Sequence, residues 1–364
     1  MDRRISLFET NIKIPGKLYI AGEYAVVEPG YSAIITTVDL FIHLKLKETT
    51  QEFGSIYSEN FTPKPVKWFR EKNQITLNEK SPALKYILSA LRTTEDYVRT
   101  LGISLKTYTI EIESELEHQA NKKLGLGSSG AVTVAVVKAL NELYQLNLSK
   151  QVIYKLSVLA QLKLGVNSSF GDLAASTYTG WIKYTSFDRD FIKEKIAHES
   201  IKTLIEREWP YLEIEQLDVP KEVNFLVGWT KSPAISDDLV GSVQTKKYQN
   251  QKQYQLFLNE SRASVLMLSK ALEQAENKTI KEAIHKNRQA LLSMGQETNV
   301  LIETPALKKL IDIATQYGGA AKTSGAGGGD SGIAFIFDQS TVDKIKTEWK
   351  KIGIVPLPLS IYKN

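Results

Sequence analysis

The sequence predicts a two-domain α+β protein. Its 364 residues are enough for two domains, each with a hydrophobic core of its own. Strand patterns fill much of the first part, whereas long amphipathic helical patterns near 248–275 and 278–295 occupy the second. A charged, irregular segment at 188–220 lies between the two parts. We therefore expect domains of residues 1–200 and 201–364.

The first part is predicted to begin with strands and to continue with helices. The pattern at 12–20 indicates a strand, a tight turn at Pro15-Gly16 and a second strand. Residues 48–80 indicate a hairpin-like excursion with its apolar centre at 66–69. Apolar periodicity predicts the remaining elements, which are strands at 33–38, 41–46, 105–112 and 178–184 and helices at 82–101, 132–144 and 151–164.

The second part is predicted to mix strands and helices. It opens with an apolar strand at 223–229, and long helices follow. A glycine-rich run at 325–329 precedes another apolar strand. The later elements are a helix at 307–317, a strand at 333–337 and a last helix at 342–351.

Charge and cysteine content exclude several classes of protein. The chain carries 46 Lys and Arg against 41 Asp and Glu, interspersed along its length, and this balance argues against nucleic-acid binding. The absence of cysteine excludes disulfides, thiolate metal sites and cysteine nucleophiles. Residues 1–10 are charged, and no apolar run reaches membrane-spanning length. We therefore expect a cytoplasmic protein without a membrane partner.

The stretch at 124–131 predicts an anion-binding site. It contains three glycines and two serines, and a long apolar run follows it. Free backbone N–H groups at the start of a helix point outward, and the helix dipole adds partial positive charge there. A serine hydroxyl at such a place can also ligand a metal ion bound to the anion.

Other glycine-rich motifs fit this stretch less well. Its G-x-G-x-x-G spacing matches a dinucleotide fingerprint, but the polar residues 115–123 do not form the buried strand that this fold requires. The chain contains neither a G-x-x-x-x-G-K-[ST] loop nor the H-R-D and D-F-G triplets of protein kinases. A merely flexible helix entry is the remaining alternative, and the second glycine run and Pro15-Gly16-Lys17 make it less favoured.

Three stretches resemble the family that includes galactokinase, homoserine kinase, mevalonate kinase and phosphomevalonate kinase. Residues 15–26, beginning Pro-Gly-Lys and containing Gly22-Glu23-Tyr24, are similar to its first motif. Residues 125–130 are similar to its ATP-phosphate-binding motif, and residues 322–330 to its third motif. The resemblance implies an N-terminal domain like the second domain of ribosomal protein S5, a ferredoxin-like C-terminal domain and an active site between them.

Within this family, the chain resembles the bacterial phosphomevalonate kinases. Mevalonate kinases usually have histidine where this chain has Tyr24, and their loop before the catalytic aspartate differs from residues 168–172. The implied reaction is transfer of the ATP γ-phosphoryl group to 5-phosphomevalonate. Another small alcohol such as mevalonate is the alternative acceptor, and a non-catalytic ligand sensor is a further alternative. The sequence leaves a monomer and a homodimer both open.

The resemblance also implies which residues bind ATP and Mg²⁺. The phosphates are expected on the backbone of Gly125, Leu126, Gly127, Ser128, Ser129 and Gly130. The Ser129 hydroxyl is the expected Mg²⁺ ligand, and Lys122 beside the loop is a candidate to screen the charge of ATP. Lys17 is expected to bridge the donor and acceptor phosphates.

Asp172 matches the catalytic aspartate of the family. A phosphate acceptor has a second pKa of about 6 and is largely ionised at pH 7, so little proton remains to be removed. We therefore expect Asp172 to orient Lys17 or Mg²⁺, and it can also serve as a helix N-cap. Candidates for the acceptor site beside Lys17 and Asp172 are Ser169, Lys231, Ser236, Gly327 and Gly328.

One departure from the family pattern concerns the metal. Mevalonate kinase carries a glutamate on the helix before the catalytic loop as a second Mg²⁺ ligand, whereas the matching region here is Ala160-Gln161. The sequence therefore predicts a metal held by Ser129, phosphate oxygens and water.

Overall fold

The computed structural model describes residues 7–60, 62–118, 122–232, 236–247 and 250–364, with only the backbone described at 118, 122–123 and 236–238. The first half contains the strands β1 (Glu9–Ala21), β2 (Ser32–Thr49), β3 (Gly54–Ser58), β4 (Val66–Glu71), β5 (Gln74–Leu77), β6 (Thr107–Ser114), β7 (Glu117–His118), β8 (Lys122–Lys123), β9 (Trp181–Thr185) and β10 (Glu213–Leu217). Its helices are α1 (Lys85–Thr100), α2 (Ser128–Leu143), α3 (Lys150–Leu162), α4 (Gly171–Tyr178), α5 (Arg189–Ile196) and α6 (Ile201–Glu206).

The first half builds one large sheet in the order β10-β9-β2-β6-β3-β4-β5, with β1 paired to β2. The tight turn predicted at Pro15-Gly16 is wrong, because β1 continues through these residues with a register shift between them. Proline has no N–H for a ladder hydrogen bond, which is why the irregularity falls there. The two strands predicted within 33–46 are one strand, β2, which pairs with β1, β6 and β9 along its length.

Helix α2 is the central helix of the first domain. It packs against β1 and β2 and is flanked by α1, α3 and α4. Residues 130–137 are buried without interruption, as expected for a helix that is apolar on all sides. This packing fixes the glycine-rich stretch, which leads directly into α2, at one end of the sheet.

The segment at 188–220 is more regular than predicted. It contains α5, α6 and β10, and β10 pairs antiparallel with β9 in the large sheet. Asp188 and Ser200 cap the two helices with side-chain hydrogen bonds. Since the large sheet extends beyond residue 200, we propose that the domain boundary lies between Leu217 and Asn224.

The second half contains β11 (Asn224–Trp229), α7 (Ser236–Lys246), α8 (Gln251–Glu273), α9 (Asn277–Thr298), α10 (Pro305–Gln316), β12 (Ala320–Thr323), β13 (Ser331–Ile336), α11 (Val342–Lys351) and β14 (Val355–Leu357). Its antiparallel sheet has the order β12-β13-β11-β14. Strand β13 lies between β11 and β12, which is the split arrangement of a ferredoxin-like domain, so the predicted fold class is confirmed. Helix α7 and strands β12 and β14 were not predicted.

The segment after β14 returns to the first domain. Tyr362 exchanges backbone hydrogen bonds with Thr37 and Gly180, and its ring packs edge-on against Phe41 with centroids 4.9 Å apart. Asp39 and Ser360 are joined by two further hydrogen bonds. The chain therefore passes between the domains twice, once before β11 and once after β14. No helix among the described residues is both long enough and apolar enough to span a membrane.

Candidate active site

The glycine-rich stretch forms a loop at the N-terminus of α2. Gly125 and Gly127 have φ of 78° and 80°, a conformation that glycine adopts at little steric cost. Gly127 is the N-cap residue, and no side chain of the described residues caps the helix there. Since the first N–H groups of a helix lack intrahelical partners, this end of α2 can bind an anion. Ser128 and Ser129 form the first turn and are half-buried.

Lys17 is held against this loop from strand β1. Its backbone N–H donates to the Leu126 carbonyl at 2.9 Å, and its Nζ donates to the Gly125 carbonyl at 2.8 Å. The side chain is only 9% exposed and runs along Gly127, where an added methyl group would lie 2.9 Å from Lys17 Cε. The absence of a side chain at residue 127 thus leaves room for the lysine beside the loop.

Asp172 approaches the same end of α2 from α4. A methyl group added to Gly130 would lie 2.4 Å from Asp172 Oδ2, so the carboxylate is in close contact with the first turn of α2. The interpretation of Asp172 as a helix N-cap is wrong, because Phe170 occupies the N-cap in a left-handed conformation and Asp172 lies in the first turn of α4. There its negative charge is stabilised by the positive end of the α4 dipole.

Three carboxylates act on the charge of the Lys17 ammonium group. Burial lowers the pKa of Lys17, and the charges of Asp172, Asp330 and Glu23 oppose this effect. These carboxylates come from α4, from the end of the third motif and from the turn after β1, which are far apart in sequence. The fold therefore supplies negative charge from both domains around one buried lysine.

Asp330 is a site residue to which the sequence analysis assigned no role. A methyl group added to Gly125 would lie 3.0 Å from Asp330 Oδ2, so this carboxylate of the second domain lies against the phosphate loop. Its backbone has φ of 50° and is fixed by hydrogen bonds with Thr230 and Ser232. The only signal in the sequence was its place directly after the glycine run.

Ser169 lies in a buried network of tyrosines beside Asp172. Its hydroxyl is 2.8 Å from the Tyr19 hydroxyl, and its carbonyl accepts from the Tyr184 hydroxyl, which in turn is 2.9 Å from that of Tyr154. Burial raises the pKa of Tyr19 well above its usual range, and the charge of Asp172 adds to this rise. Tyr19 is therefore a neutral hydroxyl that fixes Ser169. The sequence analysis did not identify it.

The second glycine run packs against the first domain. The Tyr24 hydroxyl donates to the Ala326 carbonyl at 2.5 Å, and the Ser324 hydroxyl donates to the Tyr19 carbonyl at 2.8 Å. Gly327 lies so close to the backbone of Ile302 that an added methyl group would be 2.3 Å from the Ile302 carbonyl oxygen. The two hydrogen bonds fix the run against the segment that carries Lys17, and the contact with Ile302 fixes it within the second domain.

A buried ion pair joins the first and third motifs. Lys322 of β12 and Glu23 after β1 are almost fully inaccessible, and Lys322 Nζ donates to Glu23 Oε1. Burial lowers the pKa of Lys322, while the adjacent Glu23 carboxylate acts to raise it. Glu23 Oε2 has no hydrogen-bond partner among the described residues. The pair was not anticipated, since the sequence gives no sign that residues 299 positions apart meet.

No contact with the phosphate loop is described for the remaining predicted residues. Lys231 is exposed at the end of β11 and follows Thr230, which bonds Asp330. Gly328 donates its N–H to the Ile302 carbonyl. The side chains of Lys122 and Ser236 lie outside the described part of the structure.

Gln161 occupies the place where a glutamate ligand was sought. Its amide nitrogen is 3.4 Å from the Ser129 carbonyl and 3.2 Å from the Thr133 hydroxyl, and the residue is buried. The amide is thus used within the protein and offers no charge to a metal. Within the described residues there is no group of three or more His, Cys, Asp or Glu that could hold a metal.

The oxygens near the phosphate loop nonetheless suit Mg²⁺. Ser129 and the Asp172 carboxylate lie at the same end of α2, as the close contact of Asp172 with Gly130 requires. Mg²⁺ is usually held by one or two protein oxygens together with phosphate oxygens and water. The residues present therefore fit a magnesium ion that arrives with a nucleotide.

Comparison with known families defines the class of this protein. The family profile of the GHMP kinases N terminal domain matches residues 85–180, and that of the GHMP kinases C terminal domain matches residues 268–355. Each region lies within one of the domains that form the site, since the first contains the phosphate loop and the second the glycine run. The chain belongs to the GHMP kinase family, and it is a kinase.

Individual relatives are similar over nearly the whole chain. A phosphomevalonate kinase from Streptomyces sp. (strain CL190) is 34% identical, covering 95% of this chain and 95% of its own. The structure of Streptococcus pneumoniae phosphomevalonate kinase in complex with phosphomevalonate and AMPPNP has a TM-score of 0.85 and 33% identity, with coverage of 97% and 100%. A mevalonate kinase from Methanocaldococcus jannaschii is 27% identical, covering 92% of this chain and 94% of its own.

Proposed function

We propose that this protein transfers the γ-phosphoryl group of ATP to the phosphate of 5-phosphomevalonate, giving 5-diphosphomevalonate and ADP. The observation that carries the proposal is the meeting of Lys17, Asp172 and the open N-terminus of α2 in one place. The similarity to phosphomevalonate kinases over nearly the whole chain supports this acceptor. It exceeds the similarity to the mevalonate kinase, which favours phosphomevalonate over mevalonate.

Phosphoryl transfer requires mainly positioning and charge neutralisation from a protein. The backbone of residues 125–130 would bind the ATP phosphates through the first N–H groups of α2. Lys17 is close enough to exchange its bond with the Gly125 carbonyl for a bond with a phosphate oxygen. Its charge would then offset the charge that accumulates between donor and acceptor.

Asp172 would act on charge and orientation more than on a proton. The phosphate acceptor is already largely ionised at neutral pH, because its second pKa is about 6. The Asp172 carboxylate helps to keep Lys17 protonated despite its burial. It would thereby hold the lysine in the form that a phosphate needs.

Ser129 and Asp172 are the residues that would hold Mg²⁺ together with phosphate oxygens and water. When bound, the ion would neutralise charge on the phosphates of ATP. The acceptor would lie between Ser169 and the glycine run, near Gly327 and Gly328. Lys231 and Ser236 stay predictions as acceptor ligands, and Lys122 stays a prediction for ATP. A cytoplasmic location, the absence of nucleic-acid and membrane partners, and a monomer or homodimer also stay predictions.

The test is ADP release with ATP and Mg²⁺ against 5-phosphomevalonate, mevalonate, homoserine and galactose. We expect turnover with 5-phosphomevalonate, and a loss of about 10²–10³-fold in kcat for Lys17→Ala, since one charged group at the reacting phosphates is removed. Lys13→Ala is the matched control, because Lys13 lies on the same strand and is exposed. Turnover confined to mevalonate would overturn the assignment of 5-phosphomevalonate as the acceptor. ATP binding without any turnover would favour a ligand sensor.

A further inference from the structure

A second apolar cluster joins the two domains beside the glycine run. It is separate from the main core and includes Tyr24 and Ala25 of the first domain. From the second domain it contains Val243 of α7, Phe257 of α8 and Met294 of α9. Partly buried residues around it include Leu239, Val240 and Ala326. Helix α7 therefore packs on the first domain and on the glycine run at the same time.

A single carboxylate of the first domain accepts hydrogen bonds from three side chains of the second domain, one on α7, one directly after α7 and one on α8. Glu28 Oε1 accepts from Lys247 Nζ at 2.8 Å, from Gln244 Nε2 at 3.0 Å and from the Tyr254 hydroxyl at 2.9 Å. Burial acts to raise the pKa of Glu28, but the bonds from these three side chains outweigh it and lower the pKa overall. Glu28 is therefore a charged acceptor, and hydrogen bonds to a charged group are the stronger ones.

The backbone of Glu28 is itself fixed within the first domain. Its carbonyl accepts from the Ser186 hydroxyl at 2.9 Å and from the Tyr31 N–H at 3.2 Å, and its N–H donates to the Ala25 carbonyl. Tyr31 in turn lies under the Arg262 guanidinium of α8, 4.3 Å from its ring centroid. The backbone that carries the Glu28 carboxylate is thus held in place by contacts on both sides of it.

The other part of α7 contacts the glycine run. A methyl group added to Gly328 would lie 2.8 Å from Leu239 Cδ1, so this leucine covers the run directly. The helix has 11 residues and is about 16 Å long at 1.5 Å per residue. One end of α7 is therefore tied to Glu28, while its apolar face lies on Gly328 and Ala326.

We propose that Glu28 is a positioning residue for the acceptor substrate. It anchors α7 to the first domain, and α7 in turn holds the glycine run in place beside Lys17. This inference rests on the proposed function, in which the glycine run borders the acceptor. The ATP loop has attachments of its own, from Lys17 to the Gly125 and Leu126 carbonyls and from Ser331 to the Leu124 carbonyl, and none of these bonds involves a residue of α7. Loss of the anchor should therefore affect the acceptor and spare the nucleotide.

The test compares steady-state kinetics of the full-length wild-type enzyme with Glu28→Gln, Tyr254→Phe and the double variant, using 5-phosphomevalonate and ATP. We expect the KM for 5-phosphomevalonate to rise about tenfold in Glu28→Gln, which corresponds to about 1.4 kcal/mol, while the KM for ATP stays unchanged. Tyr254→Phe removes one hydroxyl only and should give a smaller rise. The double variant should raise this KM by less than the product of the two single increases, because both changes weaken the hydrogen bond between Glu28 and Tyr254.

Glu199→Gln is the matched control. Glu199 accepts two hydrogen bonds from Arg207 within the first domain and is buried to a similar degree as Glu28. It should change neither KM. An unchanged acceptor KM in both Glu28→Gln and Tyr254→Phe would overturn the inference, as would equal increases in both KM values. A wild-type enzyme that binds ATP but does not turn over 5-phosphomevalonate would instead overturn the proposed function, and the inference with it.

Discussion

The contact between Gly130 and Asp172 allows catalysis to be separated from stability by one methyl group. In Gly130→Ala the new Cβ would lie 2.4 Å from Asp172 Oδ2, about 1 Å short of ordinary contact at 3.4 Å. The Asp172 carboxylate must therefore move by about 1 Å, and displacements of this size at a reacting centre cost about 10²-fold in rate. Alanine favours helix over glycine by up to about 1 kcal/mol, which offsets part of the cost of about 1–3 kcal/mol for this overpacking.

The assay pairs coupled ADP release with thermal unfolding. We expect kcat of Gly130→Ala to fall about 10²-fold while the protein stays folded, with a Tm lowered by only a few degrees. Gly241→Ala is the control, since Gly241 is also helical and an added methyl group there meets no atom of the described residues within 4 Å. The control should keep its kcat and gain stability. A Gly130→Ala enzyme with the kcat of wild type would refute the requirement for Asp172 in its observed position.

Three further outcomes follow from the buried charges and hydroxyls of the site. Lys322→Met alone should lower the free energy of unfolding, measured by chemical denaturation, by about 3–5 kcal/mol, because it leaves the Glu23 charge buried and unpaired. Glu23→Gln combined with Lys322→Met should recover much of this loss. Equal losses in the single and the double variant would contradict the pairing. Because burial lowers the pKa of Lys17, its charge is lost as pH rises through that lowered value. The kcat should therefore decline at a pH below the usual lysine pKa of 10.5. A kcat that stays constant up to that pH would contradict a lowered pKa of Lys17. Tyr19→Phe removes the hydroxyl that fixes Ser169 and should raise the KM for 5-phosphomevalonate a few-fold at unchanged KM for ATP; an effect on ATP alone would be inconsistent with the placement of Ser169 on the acceptor side.

Local sequence patterns were sufficient to predict the elements that are stabilised by interactions within the element itself. Helix α11 has the predicted bounds, and α2 follows the glycine-rich stretch as expected, because apolar periodicity and the loop chemistry act over a few residues. Strand β10 was missed, since its short, polar sequence becomes a strand only through pairing with β9. The Pro15-Gly16 turn was misjudged for the same reason. The partner strand β2 carries β1 through a dipeptide that favours a turn locally.

The residues of the site likewise fall into those that local sequence identifies and those that only the structure reveals. The glycine-rich loop and Lys17 belong to contiguous motifs, so their residues could be named from the sequence. Asp330 and the Glu23–Lys322 pair depend on contacts between the two domains, and such contacts leave no periodic pattern. Tyr19 was overlooked because an aromatic residue within a strand is most often a core residue. The structure distinguishes it by the position of its hydroxyl, which reaches Ser169.

The second passage of the chain between the domains, after β14, limits how they can move. A single connection before β11 would let the second domain swivel in any direction. The bonds of Tyr362 and Ser360 to the first domain add a second connection, so rotation of one domain against the other is restricted to the axis that joins the two crossings. The second crossing therefore helps to keep the glycine run in register with Lys17.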